Sequence, residues 1–288
     1  MKKMTFKKSA ASLAVAAALG AVGTSVQAVN ITSDGIGQVV LFPFYTVNAG
    51  YDNYLNVTNT SDDVVVFKVR FRESYNSQDV RDFNVILSPY DVWTASVTRS
   101  DDESVATIKT KDTSCTSPNL PSIGNGETGI DFTNIAYALA DTKDTGPQDL
   151  ERTKEGYYEI IAMGVVPSYQ EEDGSWTAEN NKDGQAILDA SLHTGGTGNN
   201  TQTPDNCAFF NAWDNTLMES GLEAPTNSLK ANATLLNVAN GYAAGIDPTI
   251  LANFVMDGRE VGVGGQPDDI AFPPFADQPN YNDATEIS

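Results

Sequence analysis

The chain has one histidine, His193, within Ser191-Leu192-His193-Thr194-Gly195-Gly196. Any Ser/His/Asp device would need it as the base. A base in a glycine-rich stretch lacks the packed support that catalytic geometry requires, so the plain reading of His193 is an exposed loop residue. No GxSxG elbow occurs, and no Lys-Ser/Thr follows Gly195-Gly196-Thr197-Gly198, which excludes a phosphate loop of the usual kind. Paired carboxylates hydrolyse glycosides in many enzymes. With 38 Asp and Glu present, however, no pair stands apart from the rest. The residues point away from an enzyme, and no catalytic residue is assigned.

Acid clusters suggest a second chemistry. Calcium takes about six to eight oxygen ligands, often from loops. Asp101-Asp102-Glu103, Glu171-Glu172-Asp173 and Asp268-Asp269 are such clusters, but none has the EF-hand spacing. Calcium is the cofactor they suit best; solvated acidic loops explain them more cheaply, and no cofactor is predicted. Two cysteines and one histidine cannot supply a four-ligand Cys/His zinc site. Cys115 and Cys207 instead predict one disulfide, closing a loop worth about 4 kcal/mol in the chain-entropy model. The basic stripe Lys68, Arg70, Arg72 has two readings. One is a ladder with acids such as Asp82 or Glu73. The other is a face that docks an acidic partner or another copy.

The elements that carry these residues are strands. Val65, Phe67, Val69 and Phe71 alternate with Val66, Lys68, Arg70 and Arg72. That period of two predicts an antiparallel sheet with one buried and one wet side. Leu55 and Val57, then Phe83, Val85 and Leu87, then Trp93, Ala95 and Val97 continue it. Val39 to Val47 is β-rich, and Pro43 within it predicts an edge position or a bend. Five short strands in this region read as one half of a sandwich, and the second sheet must come partly from later segments. Ser104 to Thr110, Tyr157 to Val166 and Leu229 to Ala243 are the candidates, the middle one as a central strand. The fold expected is therefore mainly β, an antiparallel immunoglobulin-like sandwich over 29–256. It carries long insertions at 111–154 and 169–226, with one or two short helices. Phe209, Trp213 and Leu217 predict one of them over Cys207 to Leu217. No internal repeat is found.

The two ends read differently. Lys2, Lys3, Lys7 and Lys8 precede an apolar run from Ala10 to about Val22, and Val26-Gln27-Ala28 fits signal-peptidase cleavage after Ala28. The run is shorter than the roughly 20 residues a spanning helix needs. The chain is thus expected to be exported to the periplasm, the outer cell surface or the medium, without a membrane span. Residues 257–288 read as an acidic, Pro-rich tail. Lys and Arg number 17, for a net charge of −21, and the four N-terminal lysines leave with the signal. Such a surface repels nucleic acid and anionic membrane.

Gly35-Ile36-Gly37-Gln38-Val39-Val40-Leu41-Phe42-Pro43-Phe44-Tyr45-Thr46 is distinctive. So are Val69-Arg70-Phe71-Arg72-Glu73, Asp82-Phe83-Asn84 and Leu87-Ser88-Pro89-Tyr90-Asp91-Val92-Trp93, and a weaker block is Leu236-Asn237-Val238-Ala239-Asn240-Gly241. Together they resemble a group of exported proteobacterial proteins described as cell-surface or hypothetical. The resemblance implies surface or periplasmic residence and transfers no catalytic residue. Members often continue beyond the point where this chain stops, which implies a shortened member. The expectation is a non-enzymatic structural or adhesive surface protein that contacts other surface proteins or copies of itself. The alternative is a secreted carbohydrate- or calcium-binding module.

Overall fold

Val65, Phe67, Val69 and Phe71 are fully buried, as their alternation requires. The structure is a computed structural model and describes residues 29–117, 129–138, 144–179, 182–193, 206–212 and 221–254. The signal with Ala28, the tail over 257–288, Asp268, Asp269, Trp213 and Leu217 lie outside the described residues.

The strands are β1 (Asn30–Ile31), β2 (Val39–Thr46), β3 (Asp52–Asn59), β4 (Val64–Glu73) and β5 (Asp79–Leu87). Next come β6 (Val92–Arg99), β7 (Ala106–Lys109), β8 (Cys115–Ser117), β9 (Ile130–Asp131) and β10 (Glu155–Val166). The last are β11 (Ser168–Gln170), β12 (Trp176–Ala178), β13 (Leu229–Asn237), β14 (Tyr242–Ile246) and β15 (Thr249–Ala252). Two short helices are described, α1 (Ile135–Ala138) and α2 (Lys182–Ser191), and Cys207–Ala212 forms a 3-10 turn. The strands make two packed antiparallel sheets. Sheet A has the order β1-β15-β2-β10-β4-β5-β8, and sheet B the order β14-β13-β3-β6-β7-β9. β11 and β12 form a separate hairpin.

The core lies between the sheets. Sheet A contributes Val40, Phe42, Tyr45, Phe67, Phe71, Phe83 and Tyr158, and sheet B contributes Leu55, Val57, Trp93, Val97 and Ala231. Aromatic rings supply much of its volume. Phe42 stacks on Tyr158 at 4.5 Å between centroids, and Phe83 meets Trp93 across the sheets at 5.6 Å. β10 is central, as its nearly continuous apolar run predicts, with β2 on one side and β4 on the other.

Two expectations meet the structure differently. First, Pro43 marks a bend, as its lack of an N–H predicts. Val39, Val40 and Leu41 pair with both β10 and β15, while Pro43 falls where the β2–β10 register shifts, on the part of β2 beyond the last β15 pair. Second, the outer face of β4 is not uniformly wet. Val64 and Val66 are buried under a second apolar cluster with Ile86, Met163, Val166, Ile187, Leu188 and Phe210. The physical reason is visible in Val64-Val65-Val66-Phe67. An unbroken apolar run has two faces to bury, and α2 with the 206–212 segment covers the outer one. The Leu229 to Ala243 candidate resolves into the hairpin β13–β14, which turns at Gly241 with φ +69.

Gly37 explains one feature of the distinctive N-terminal block. It exchanges backbone bonds with Leu229, N to O at 3.0 Å both ways, while Gln38 N donates to Leu251 O. A Cβ on Gly37 would strike the Leu251 carbonyl, so only glycine fits where the two sheets meet.

Candidate functional site

The sheet that bears Lys68, Arg70 and Arg72 sets their neighbours by register. Arg70 lies between Glu159 of β10 and Asp82 of β5, and Arg72 pairs with Asp79. Arg72 reaches Glu159 at 3.0 Å and Asp79 at 3.2 Å, while Arg70 lies 3.8 and 3.9 Å from the same two carboxylates. Lys68 is only 1% exposed and meets Asp82, 4% exposed, at 3.4 Å. Burial lowers the Lys68 ammonium pKa, and Asp82 opposes the shift. The three cations thus form a ladder with acids of the neighbouring strands. Lys68 presents no charge to solvent, which removes much of the basis for a docking face.

The acid clusters sit in turns and serve them. Asp102 Oδ1 accepts from Ser100 Oγ at 2.7 Å, Ser104 Oγ at 2.6 Å and Ser104 N–H at 3.0 Å, which hold its carboxyl at about 2. Asp101 lies 3.4 Å from Lys109, and Glu103 3.6 Å from Arg99. Asp173 Oδ1 accepts from Ser175 Oγ and N–H in the β11–β12 turn, and those bonds depress its pKa. Glu171 accepts from Thr177 Oγ1, and Glu172 is exposed beside it. Among the described residues, no three His, Cys, Asp or Glu side chains gather where they could hold a metal ion.

His193 is better supported than its glycine-rich surroundings predict. It ends the α2 region, with Nε2 3.5 Å from Asp91 Oδ2. Ser114 Oγ donates to that same Asp91 oxygen at 3.2 Å. The carboxylate therefore stands between serine and imidazole. A triad needs the imidazole in the middle to take the serine proton, which this order does not provide, and His193 Nε2 makes no hydrogen bond here. Burial raises the Asp91 pKa, and His193 opposes it.

The predicted disulfide is present, Cys115 to Cys207 with Cα atoms 5.1 Å apart. It fastens the 3-10 turn to β8 at the edge of sheet A.

One buried network carried no sequence signal. Arg152 donates to Glu73 at 2.9 and 3.3 Å, to Asp144 at 3.0 Å twice, to Asn76 Oδ1 at 2.6 Å and to Pro147 O at 2.8 Å. The Tyr137 ring lies 4.0 Å from its guanidinium carbon. Glu73 also accepts from the N–H groups of Tyr75, Asn76 and Gln78. Burial works against the Glu73 carboxylate, but the Arg152 bonds and these three donors hold its pKa below the ordinary value. Sequence reasoning missed Arg152 because Glu73 and Asn76 lie far away along the chain and its nearer partners Asp144 and Pro147 sit in an irregular segment.

Two surfaces remain uncommitted. The outer face of sheet B aligns Thr234, Tyr54, Ser96 and Lys109 in one row and Asn232, Asn56 and Thr94 in the next. A groove of about 320 Å3 lies there, also lined by Lys111, and no Asp or Glu lines it. A larger cavity of about 690 Å3 opens beside Asp102, Asp131 and Phe132, but Asp131 is bonded to Thr107 and Asp102 to its serines. The second surface is β14. Among the described residues no strand pairs with its outer side, and Tyr242 through Gly245 are exposed. No family model, curated protein or solved structure matches this chain.

Proposed function

We propose that this chain is a non-enzymatic, exported structural or adhesive protein of the cell surface or periplasm, acting through protein–protein contacts. The observation that carries the reading is the open edge of β14. An unprotected edge strand is a template for strand addition, and main-chain bonds then supply the affinity. The His193–Asp91–Ser114 order supports the non-enzymatic part, because there Ser114 meets the carboxylate and not the imidazole. Export and the resemblance to exported proteobacterial surface proteins rest on residues 1–28 and on the blocks quoted above. The immunoglobulin-like character belongs to the same proposal, supported by two packed antiparallel sheets and the buried Trp93. Fractionation of producing cells tests the reading, comparing the unaltered chain with Ala244→Asp on β14. Retention in the envelope that the substitution removes is the expected result. A chain found free and unassembled in both cases would sink it.

A second reading is a carbohydrate-binding module. The polar groove on sheet B favours it, since the Asn56–Asn232 amide pair and Thr94, held by Asp112, flank the exposed Tyr54. A polysaccharide that binds the groove must raise the melting temperature by linkage, and Tyr54→Ala must abolish the rise. The same melts with calcium address the calcium form of the alternative.

A further inference from the structure

We infer that β14 pairs with β14 of a second copy of this chain, antiparallel about a two-fold axis at Ala244. The inference rests on the strand-addition reading above and names its partner. Among the described residues four strands end the two sheets. Three of them are two or three residues long: β1, β8 and β9. Very short edges are one way proteins block pairing. β14 has five residues and carries no Lys, no Pro and no inward-pointing charge. A Cβ added at Gly245 would meet nothing within 4 Å.

Two observations favour a second copy over a different partner. The first is charge. Copies with 38 acidic and at most 17 basic residues repel one another, so contact between them needs a neutral strip. Leu235 through Ile246 contains no charged residue. The second is self-complementarity. An axis at Ala244 sets Tyr242 opposite the partner's Ile246 and Ala243 opposite the partner's Gly245. An aromatic residue opposite a β-branched one is a favourable cross-strand pair, and the small residues between them allow flush approach. The turn at Gly241 and the Asp247-Pro248 pair bound the stretch, so sheet B of one copy runs on into sheet B of the other over five residues. Such a two-fold contact is the commonest way a chain meets its own copy.

Sedimentation equilibrium of the purified chain, with its disulfide intact, tests this. The expected result is a monomer–dimer equilibrium that tightens from about 0.05 M to about 0.5 M salt, as repulsion is screened. Ala244→Asp and Ala244→Lys should both weaken the dimer by roughly fivefold, about 1 kcal/mol, because each places like charges opposite across the axis. Neither should lower the melting temperature at concentrations where the chain is monomeric, since the position is exposed. Ala244→Cys should oxidise to a linked dimer, whereas Val238→Cys at the hairpin tip should not. A strict monomer at all salt concentrations overturns the inference. So does an opposite effect of the Asp and Lys variants, which would reveal a partner of fixed charge. If the purified chain is monomeric and Ala244→Asp still strips it from the envelope, the self-pairing falls and the strand-addition reading stands.

Discussion

The outer faces of the two sheets share an alternating strand pattern and end in different states. Sheet A is covered. At one end α2 and the 206–212 segment lie over Val64, Val66 and Ile86, fastened by the Cys115–Cys207 bond. Further along, Glu159, Arg70, Arg72 and Asp79 form the ladder, and Arg152 clamps the β4–β5 turn through Glu73. Sheet B is more open, with Asn, Thr and Ser side chains, Tyr54 and two lysines along its groove, and Asp112 and Asp131 bonded to Thr94 and Thr107 on the same face. The difference teaches that a polar alternate position does not mean a wet one. Coverage follows where the same strand also has an apolar run on its second face, or where charges of both signs are set opposite in register.

The largest expected effect comes from breaking the covered face at its ion network. Arg152→Met leaves the buried Glu73 carboxylate without its partner and should cost roughly 3–5 kcal/mol, read from urea unfolding. Replacing both Cys115 and Cys207 with Ser should remove up to about 4 kcal/mol, with hydrogen-exchange protection lost first in α2 and last in sheet B. Ile187→Ala, in the small cluster, should cost about 2–4 kcal/mol. Acid sharpens the contrast more gently. The Glu73 pKa is lower in the folded chain than in the unfolded one, so its contribution is full above about 4.5 and fades as pH falls below that value. Burial raises Asp79, which works in the opposite sense and gains stability on acidification. Folded stability titrated from pH 7 to pH 3 should therefore fall less steeply in Arg152→Met than in the unaltered chain. The smallest effect is expected on the more open face. Thr94→Ala or Asn232→Ala should shift stability by no more than about 0.5 kcal/mol, and a loss comparable to that of Ile187→Ala would show that this face is covered too.

The residues reveal some of this directly and hide the rest for physical reasons. Phe67, Val69 and Phe71 announce their buried side because the period of two is local. Cys115 and Cys207 are the only cysteines, so their pairing needs no geometry. The second cover was legible in Val64-Val65-Val66-Phe67, where alternation fails, but the strand was read from its alternating half. The β13–β14 hairpin was legible as well. Asn240-Gly241 between Leu235-Leu236 and Tyr242 is a strong turn signal inside the Leu229 to Ala243 candidate segment. Arg152 was not legible at all. Its carboxylate Glu73 lies 79 residues away, and no local pattern joins them. The open edge belongs to the same class, since which strands lie at the margins is a property of the closed sheets.

The position of the last strands sets a timetable for the chain. β13 fills the place beside β3, and β15 fills the place beside β2, although both arrive at the end of the described sequence. A chain that emerges N-terminus first has every strand through β12 available while both of those places stand empty. Sheet B waits for β13 and β14, and sheet A for β15. Both sheets therefore stay incomplete until the chain has been made past Ile246 for sheet B and past Ala252 for sheet A.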